Sequence, residues 1–82
     1  MNVFGNINVY PNPTTGQLTI TNYELPITDV EVFDIYGRKQ LSNHLITTSS
    51  HHLINISHLQ TGIYFVKITT ETGEVIKKVL KM

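Results

Sequence analysis

Read for its period, the chain is a succession of short stretches in which apolar and polar side chains alternate, the mark of strands buried on one face. Ile7 and Val9 open the first stretch. It stops at Pro11-Asn12-Pro13-Thr14-Thr15-Gly16, where two prolines lack the N–H that a ladder needs and Gly16 is free to take positive φ, so a rigid turn is predicted. From Gln17 to Thr21 the alternation is unbroken, with Leu18 and Ile20 on one face and Thr19 and Thr21 on the other. Asn22 to Pro26 reads as a loop. Asp29 to Ile35 is a third strand with Val30 and Val32 inward and Glu31 outward. Phe33 and Ile35 break that pattern, which predicts either cover on both faces or a bulge at Phe33-Asp34.

Tyr36-Gly37-Arg38 then turns the chain, with Gly37 as the residue of positive φ and Asp34 as a turn former accepting from nearby backbone N–H groups. Lys39 to Leu45 returns as the partner of a hairpin. After the polar Thr47-Thr48-Ser49-Ser50, Leu53 to Ile56 is a fifth strand with Ile54 and Ile56 on one face. Ser57 to Gly62 has room for a single helical turn that tucks Leu59 under the core and ends at Gly62. Ile63 to Thr69 is the most apolar stretch and reads as a central strand, with Tyr64, Val66 and Ile68 on one face and Ile63, Phe65 and Lys67 on the other. Glu71-Thr72-Gly73-Glu74 is a hairpin loop, and Val75 to Lys81 is the last strand, antiparallel to the sixth. The expected fold is therefore all-β, a seven-stranded antiparallel sandwich of the immunoglobulin-like type, with a small Greek-key barrel as the competing topology. Residues 1–6 look detachable, as a linker, from a domain of residues 7–82.

Composition strengthens the β assignment. Ile (ten), Val (seven) and Thr (eleven) make 28 of 82 residues while Ala is absent, a balance that suits a pleated sheet and disfavours a helical bundle. Six Lys plus Arg balance six Asp plus Glu, so no global field draws in nucleic acid or an anionic membrane. No apolar run approaches the roughly 18 residues that span a bilayer as a helix. Met1 to Gly5 lacks a basic region followed by an apolar stretch, so an ordinary export signal is not expected there. A piece of a longer protein and a small cytosolic protein both remain open. With no Cys there is neither a disulfide framework nor a thiolate metal site, so core burial and strand pairing must hold the fold.

Catalysis needs a nucleophile, base or metal cage with orienting partners, and the residues assemble none. His51 and His52 are neighbours on a strand and point to opposite faces, and His44 and His58 stand apart. Ser49 or Ser50 beside His51 lacks an acid to orient the imidazole. The acids are scattered singly and the glycines are isolated, so neither a carboxylate pair nor a phosphate cradle is expected. Asn55-Ile56-Ser57 matches a glycosylation sequon but falls in a predicted strand. The seven aromatics do not interleave with a basic stripe. No cofactor, metal, nucleic acid or small-molecule substrate is therefore expected. One charge pattern is different: Lys77, Lys78 and Lys81 put half of the six cations in the last six positions, around Val79 and Leu80. Such lysines guard an exposed edge strand against aggregation, or mark a strand that a partner recognises. Edge-paired self-association is a third reading.

Three stretches, taken together, resemble a known family. Val9 to Gly16, Val30 to Arg38, and Leu59 to Ile68 running into Gly73 and Lys77 to Lys81 are similar in order and spacing to the type A C-terminal sorting domain of type IX secretion cargo in Bacteroidetes, over about residues 7 to 82. The resemblance implies a seven-stranded immunoglobulin-like tail of a larger secreted protein. Such cargo reaches the periplasm through an N-terminal signal. Its folded tail is then recognised by the outer-membrane translocon and by shuttle or sortase proteins. A sortase-like peptidase usually cuts ahead of the tail, and the cargo is released or joined to an anionic lipopolysaccharide at the cell surface. The tail is then substrate rather than catalyst. Carried over, the recognition residues are Gly62 and Tyr64 at the start of the sixth strand and Lys77, Lys78, Val79 and Lys81 in the last. Pro11, Asn12, Pro13, Gly16, Asp34, Gly37 and Gly73 shape the turns. Residues 1–6 hold no cleavage signature beyond Gly5. The alternative function on the same architecture is a carbohydrate- or protein-binding adhesion module, for which Tyr10, Tyr23 and Tyr36 are the candidate contact residues.

Overall fold

A computed structural model of the chain describes residues 7–22, 27–44, 51–71 and 73–82. Its strands are β1 (Ile7–Tyr10), β2 (Gln17–Asn22), β3 (Ile27–Phe33), β4 (Lys39–His44), β5 (His51–Asn55), β6 (Gly62–Thr70) and β7 (Gly73–Lys81). They form a three-stranded sheet in the order β1-β2-β5 and a four-stranded sheet in the order β4-β3-β6-β7, and each pairing is antiparallel. This is the expected sandwich. β6 lies between β3 and β7, the central position that its apolar run called for. The expectations for residues 1–6, the loop that includes Tyr23, the end of the fourth strand at Leu45, the stretch 47–50 and Thr72 lie outside the described residues.

Alternation dictates the core. Leu18 and Ile20 of β2, Ile54 of β5, Val30 and Val32 of β3, Tyr64, Val66 and Ile68 of β6 and Val79 of β7 are all buried, joined by Ile7, Ile27 and Ile56. A fully buried Val, Leu or Ile contributes about 1.5–3 kcal/mol, so this interlayer cluster carries most of the fold's cohesion. The pairing registers bring the inward residues opposite one another, Leu18 with Ile54, Val30 with Ile68 and Val32 with Val66.

Several boundaries differ from the expectation for local reasons. β3 ends at Phe33 rather than Ile35, because the Asp34 carboxylate accepts the N–H groups of Tyr36 and Arg38 at 2.9 Å each and turns the chain early. The register shift in this hairpin falls at Val32/Phe33, one residue before the predicted bulge, and leaves Gln40 as the extra residue on β4. Gly37 has the expected positive φ, 80°. Thr70 and Gly73 pair, so the β6–β7 connection is tighter than four residues. The 57–61 segment is a hydrogen-bonded turn, not a helical one: the Leu59 N–H reaches the Ile56 carbonyl at 3.0 Å, and Leu59 still packs against the core.

Gly16 matters for a different reason from the one predicted. Its φ of 159° is nearly extended. What requires glycine is proximity: a Cβ there would lie 2.6 Å from Ser57 Cβ and 2.9 Å from Ser57 Cα. Gly16→Ala is therefore expected to destabilise the domain by about 1–3 kcal/mol through overpacking against backbone. Ile20→Ala, which empties the centre of the cluster, is expected to lose about 2–5 kcal/mol. Urea denaturation of both variants checks these figures.

Candidate functional site

The segment after β1 leaves its own sheet and binds the last strand of the other. The Tyr10-Pro11 and Asn12-Pro13 peptide bonds are both cis. The Asn12 carboxamide then stands in for a strand residue: its Nδ2 donates to the Lys78 carbonyl and its Oδ1 accepts the Leu80 N–H, both at 3.0 Å. Thr14 continues the contact as a parallel bridge to Lys81, its N–H donating to the Leu80 carbonyl at 2.9 Å and its carbonyl accepting the Met82 N–H at 2.8 Å. The side chain of Thr14 is consumed as well. Its hydroxyl donates to the Gln17 carbonyl at 2.8 Å and accepts the Gly16 N–H at 3.1 Å, which satisfies a residue only 1% exposed.

The β6–β7 ladder beside this clasp brings the predicted recognition residues together. Gly62 pairs with Lys81, Tyr64 with Val79, Phe65 with Lys78 and Val66 with Lys77. Period two then divides them between faces. Tyr64, Val79 and Lys81 are buried, Lys77 is half-buried on the same inner face, and Lys78 is exposed on the outer one. The ammonium of Lys81 donates to the Met82 carbonyl at 3.2 Å while its stem is covered. The Tyr64 hydroxyl donates to the Gln60 carbonyl at 2.6 Å, which ties β6 to the turn before it. Outside, Lys78 is bordered by Ile63 and Leu80, which face each other across β6 and β7 and are 42% and 41% exposed.

Of the predicted turn residues, Asp34 borders the same end of β6 as the clasp, while Gly73 pairs with Thr70 at the far end of the β6–β7 ladder. A cleft of about 400 Å³ lies between the Asp34–Arg38 turn and residues 58–64, lined among others by Tyr36, Arg38, His58, Gly62, Ile63 and Tyr64. Arg38 Nε donates to Asp34 Oδ2 at 2.7 Å, and its guanidinium lies 5.2 Å from the centre of the Tyr36 ring. Desolvation alone would raise the Asp34 pKa; the Arg38 N–H, the Arg38 side chain and the Tyr36 N–H outweigh it and hold the carboxyl below its usual range. Along the outer face, Glu31 meets Lys39 at 2.6 Å and Lys67 at 3.7 Å, and Lys67 meets Glu74 at 3.4 Å. The hydrogen bond from Lys39 is the main cause that lowers Glu31, against desolvation and with help from Lys67. These groups link all four strands of the sheet.

Among the described residues, no group of three or more His, Asp and Glu could hold a metal ion. His58 is exposed at the cleft, and His52 Nε2 is buried without a partner among the described residues. Asn55 uses its carboxamide to accept the Ser57 N–H at 2.8 Å, an Asx turn that closes β5. What sequence reasoning missed is the clasp itself. Asn12 and Thr14 were legible as turn formers, but their partners stand more than sixty positions away.

Comparison with known proteins gives one family. A family model described as a secretion system C-terminal sorting domain matches residues 8–82. Among curated proteins the chain is similar to ulvan lyase NLR42 of Nonlabens ulvanivorans, 29% identical over 72 residues that cover 84% of this chain. The match spans 13% of the length of that relative.

The geometry sets two expectations. Asn12→Ala removes two hydrogen bonds to the last strand and should lower stability by about 1–2 kcal/mol in denaturant melts. Asp34 and Glu31, both lowered, contribute stability that is present above the ordinary carboxylate range and is lost as pH falls through their native values. The melting temperature should therefore fall on acidification, and Asp34→Asn should flatten that fall.

Proposed function

Because this chain belongs to the secretion system C-terminal sorting domains, matched over residues 8–82, we propose that the type IX machinery reads it at the end of the four-stranded sheet where the motifs meet. A domain of this family is a signal. It sends its cargo through the type IX secretion system of Bacteroidetes, across the outer membrane to the cell surface or beyond, by contact with that machinery. No described helix is long and apolar enough to cross a membrane.

The surface proposed for recognition comprises the Asn12–Thr14 clasp, the start of β6 and the last five residues of β7. One observation carries it: stretches distant in sequence form one continuous ladder, Thr14 to Lys81 and Lys81 to Gly62. Lys78, Ile63 and Leu80 present a cation on an apolar ground to the partner. Tyr64, Val79 and Lys81 back that surface from the inner face, and Gly62, paired with Lys81, begins β6 beside the clasp. The partner that reads it is an outer-membrane shuttle or sortase protein, met on the periplasmic side. A sortase-like peptidase then cuts ahead of β1, within or before residues 1–6, which act as linker to the domain of residues 7–82.

Export of a fluorescent reporter fused ahead of the domain, in a type IX-competent host, tests the reading. Deletion of Lys77 to Met82 should leave the reporter in the periplasm. Lys78→Glu, at an exposed position, should reduce export with an unchanged melting temperature. Full export of the truncated fusion, or of Lys78→Glu, would remove the proposed surface.

A further inference from the structure

β7 is the outermost strand of its sheet, and its free side is divided into two parts. The clasp occupies one part, from the Lys78 carbonyl to the Met82 N–H. Those bonds fix the direction of the main chain along the strand: even-numbered residues turn N–H and C=O away from β6, and odd-numbered residues bond to it. Glu74 and Ile76 therefore turn both main-chain groups outward, and Lys78 turns out its N–H. Nothing among the described residues receives them. The open edge is thus Glu74 to Lys78, bounded by the β6–β7 connection at one end and by Asn12 at the other. Its outward side chains are a carboxylate, an Ile that is 60% exposed and an ammonium.

We infer that this edge pairs antiparallel with the same edge of a second copy of the chain, in the register centred on Ile76. Charge complementarity selects that partner and that register. About a two-fold axis at Ile76, Ile76 meets its own counterpart, Glu74 faces Lys78 of the second copy, and Lys78 faces Glu74. Two main-chain bonds form between the Ile76 residues, and one more runs from each Lys78 N–H to the opposite Glu74 carbonyl. Sliding the second copy by four residues sets Glu74 against Glu74 or Lys78 against Lys78, and the second of these also meets the Asn12 clasp. On the outer face, the new ladder sets the two exposed Ile76 side chains side by side between the two Glu74–Lys78 pairs. An edge this short buries far less than the roughly 1,200–2,000 Å² of stable interfaces, so the dimer is weak in solution.

The inference stands apart from the secretion reading, since its test uses the purified chain alone. Sedimentation equilibrium should show a monomer–dimer balance as concentration rises to ~1 mM. Glu74→Lys and Lys78→Glu should each weaken it about tenfold or more, by placing like charges across both outer pairs. Mixed in equal amounts, the two variants should form a heterodimer near wild-type affinity, because every lysine then faces a glutamate. Glu74→Lys also removes the ion pair of Glu74 with Lys67, but only intermolecular pairing accounts for recovery on mixing. A chain that stays monomeric to ~1 mM, a dimer indifferent to both substitutions, or a mixture without heterodimer overturns the inference.

Discussion

Two sheets laid face to face attract each other through apolar burial, which sets their distance but is too undirected to set how one lies along the other. In this domain the directional bonds come from the segment between β1 and β2. Asn12 and Thr14 extend from the three-stranded sheet and add a short parallel strand segment to the end of β7 in the four-stranded one. Everything near the clasp depends on it. Thr14 is buried only because its N–H, carbonyl and hydroxyl are all satisfied there, and Gly16 can approach Ser57 only because it lacks a Cβ. The Ile56 N–H then donates to the Gly16 carbonyl at 2.7 Å, which closes β5 onto the same turn.

This arrangement suits the proposed recognition of the domain by contact. A signal read by contact needs a surface of fixed shape, and the alternation of β6 and β7 supplies it by assigning neighbouring residues opposite tasks. Tyr64, Val79 and Lys81 are buried, while Ile63, Lys78 and Leu80 are exposed on the opposite face. The ion pairs of Glu31, Lys39, Lys67 and Glu74 run across the strands on that outer face. Exposed pairs of this kind contribute little to stability individually, so their greater value is in fixing where charge stands on the surface. Asn12 covers one end of the β7 edge, and of the three clustered lysines only Lys78 is exposed on the outer face.

The sequence by itself determined the fold class, the turn at Tyr36-Gly37-Arg38 and the inward residues of β2, β3, β5 and β6, because period two and the conformational freedom of Gly act within a few residues. It also carried the family resemblance, through the spacing of three stretches. Its expectations slipped where one or two local hydrogen bonds settled the choice: the Asp34 carboxylate ended β3 early, and a single backbone bond made the 57–61 turn. The three clustered lysines read as one charged edge, yet they alternate between core and solvent because β7 is regular to its end. Only the tertiary structure decided that β1, β5 and β4 lie at the other sheet edges, that Gly62 stands beside Lys81, and that Asn12 and Thr14 bind the last strand. Those facts join residues tens of positions apart, where neither period nor propensity reaches, and the folded backbone alone brings their hydrogen-bonding groups together.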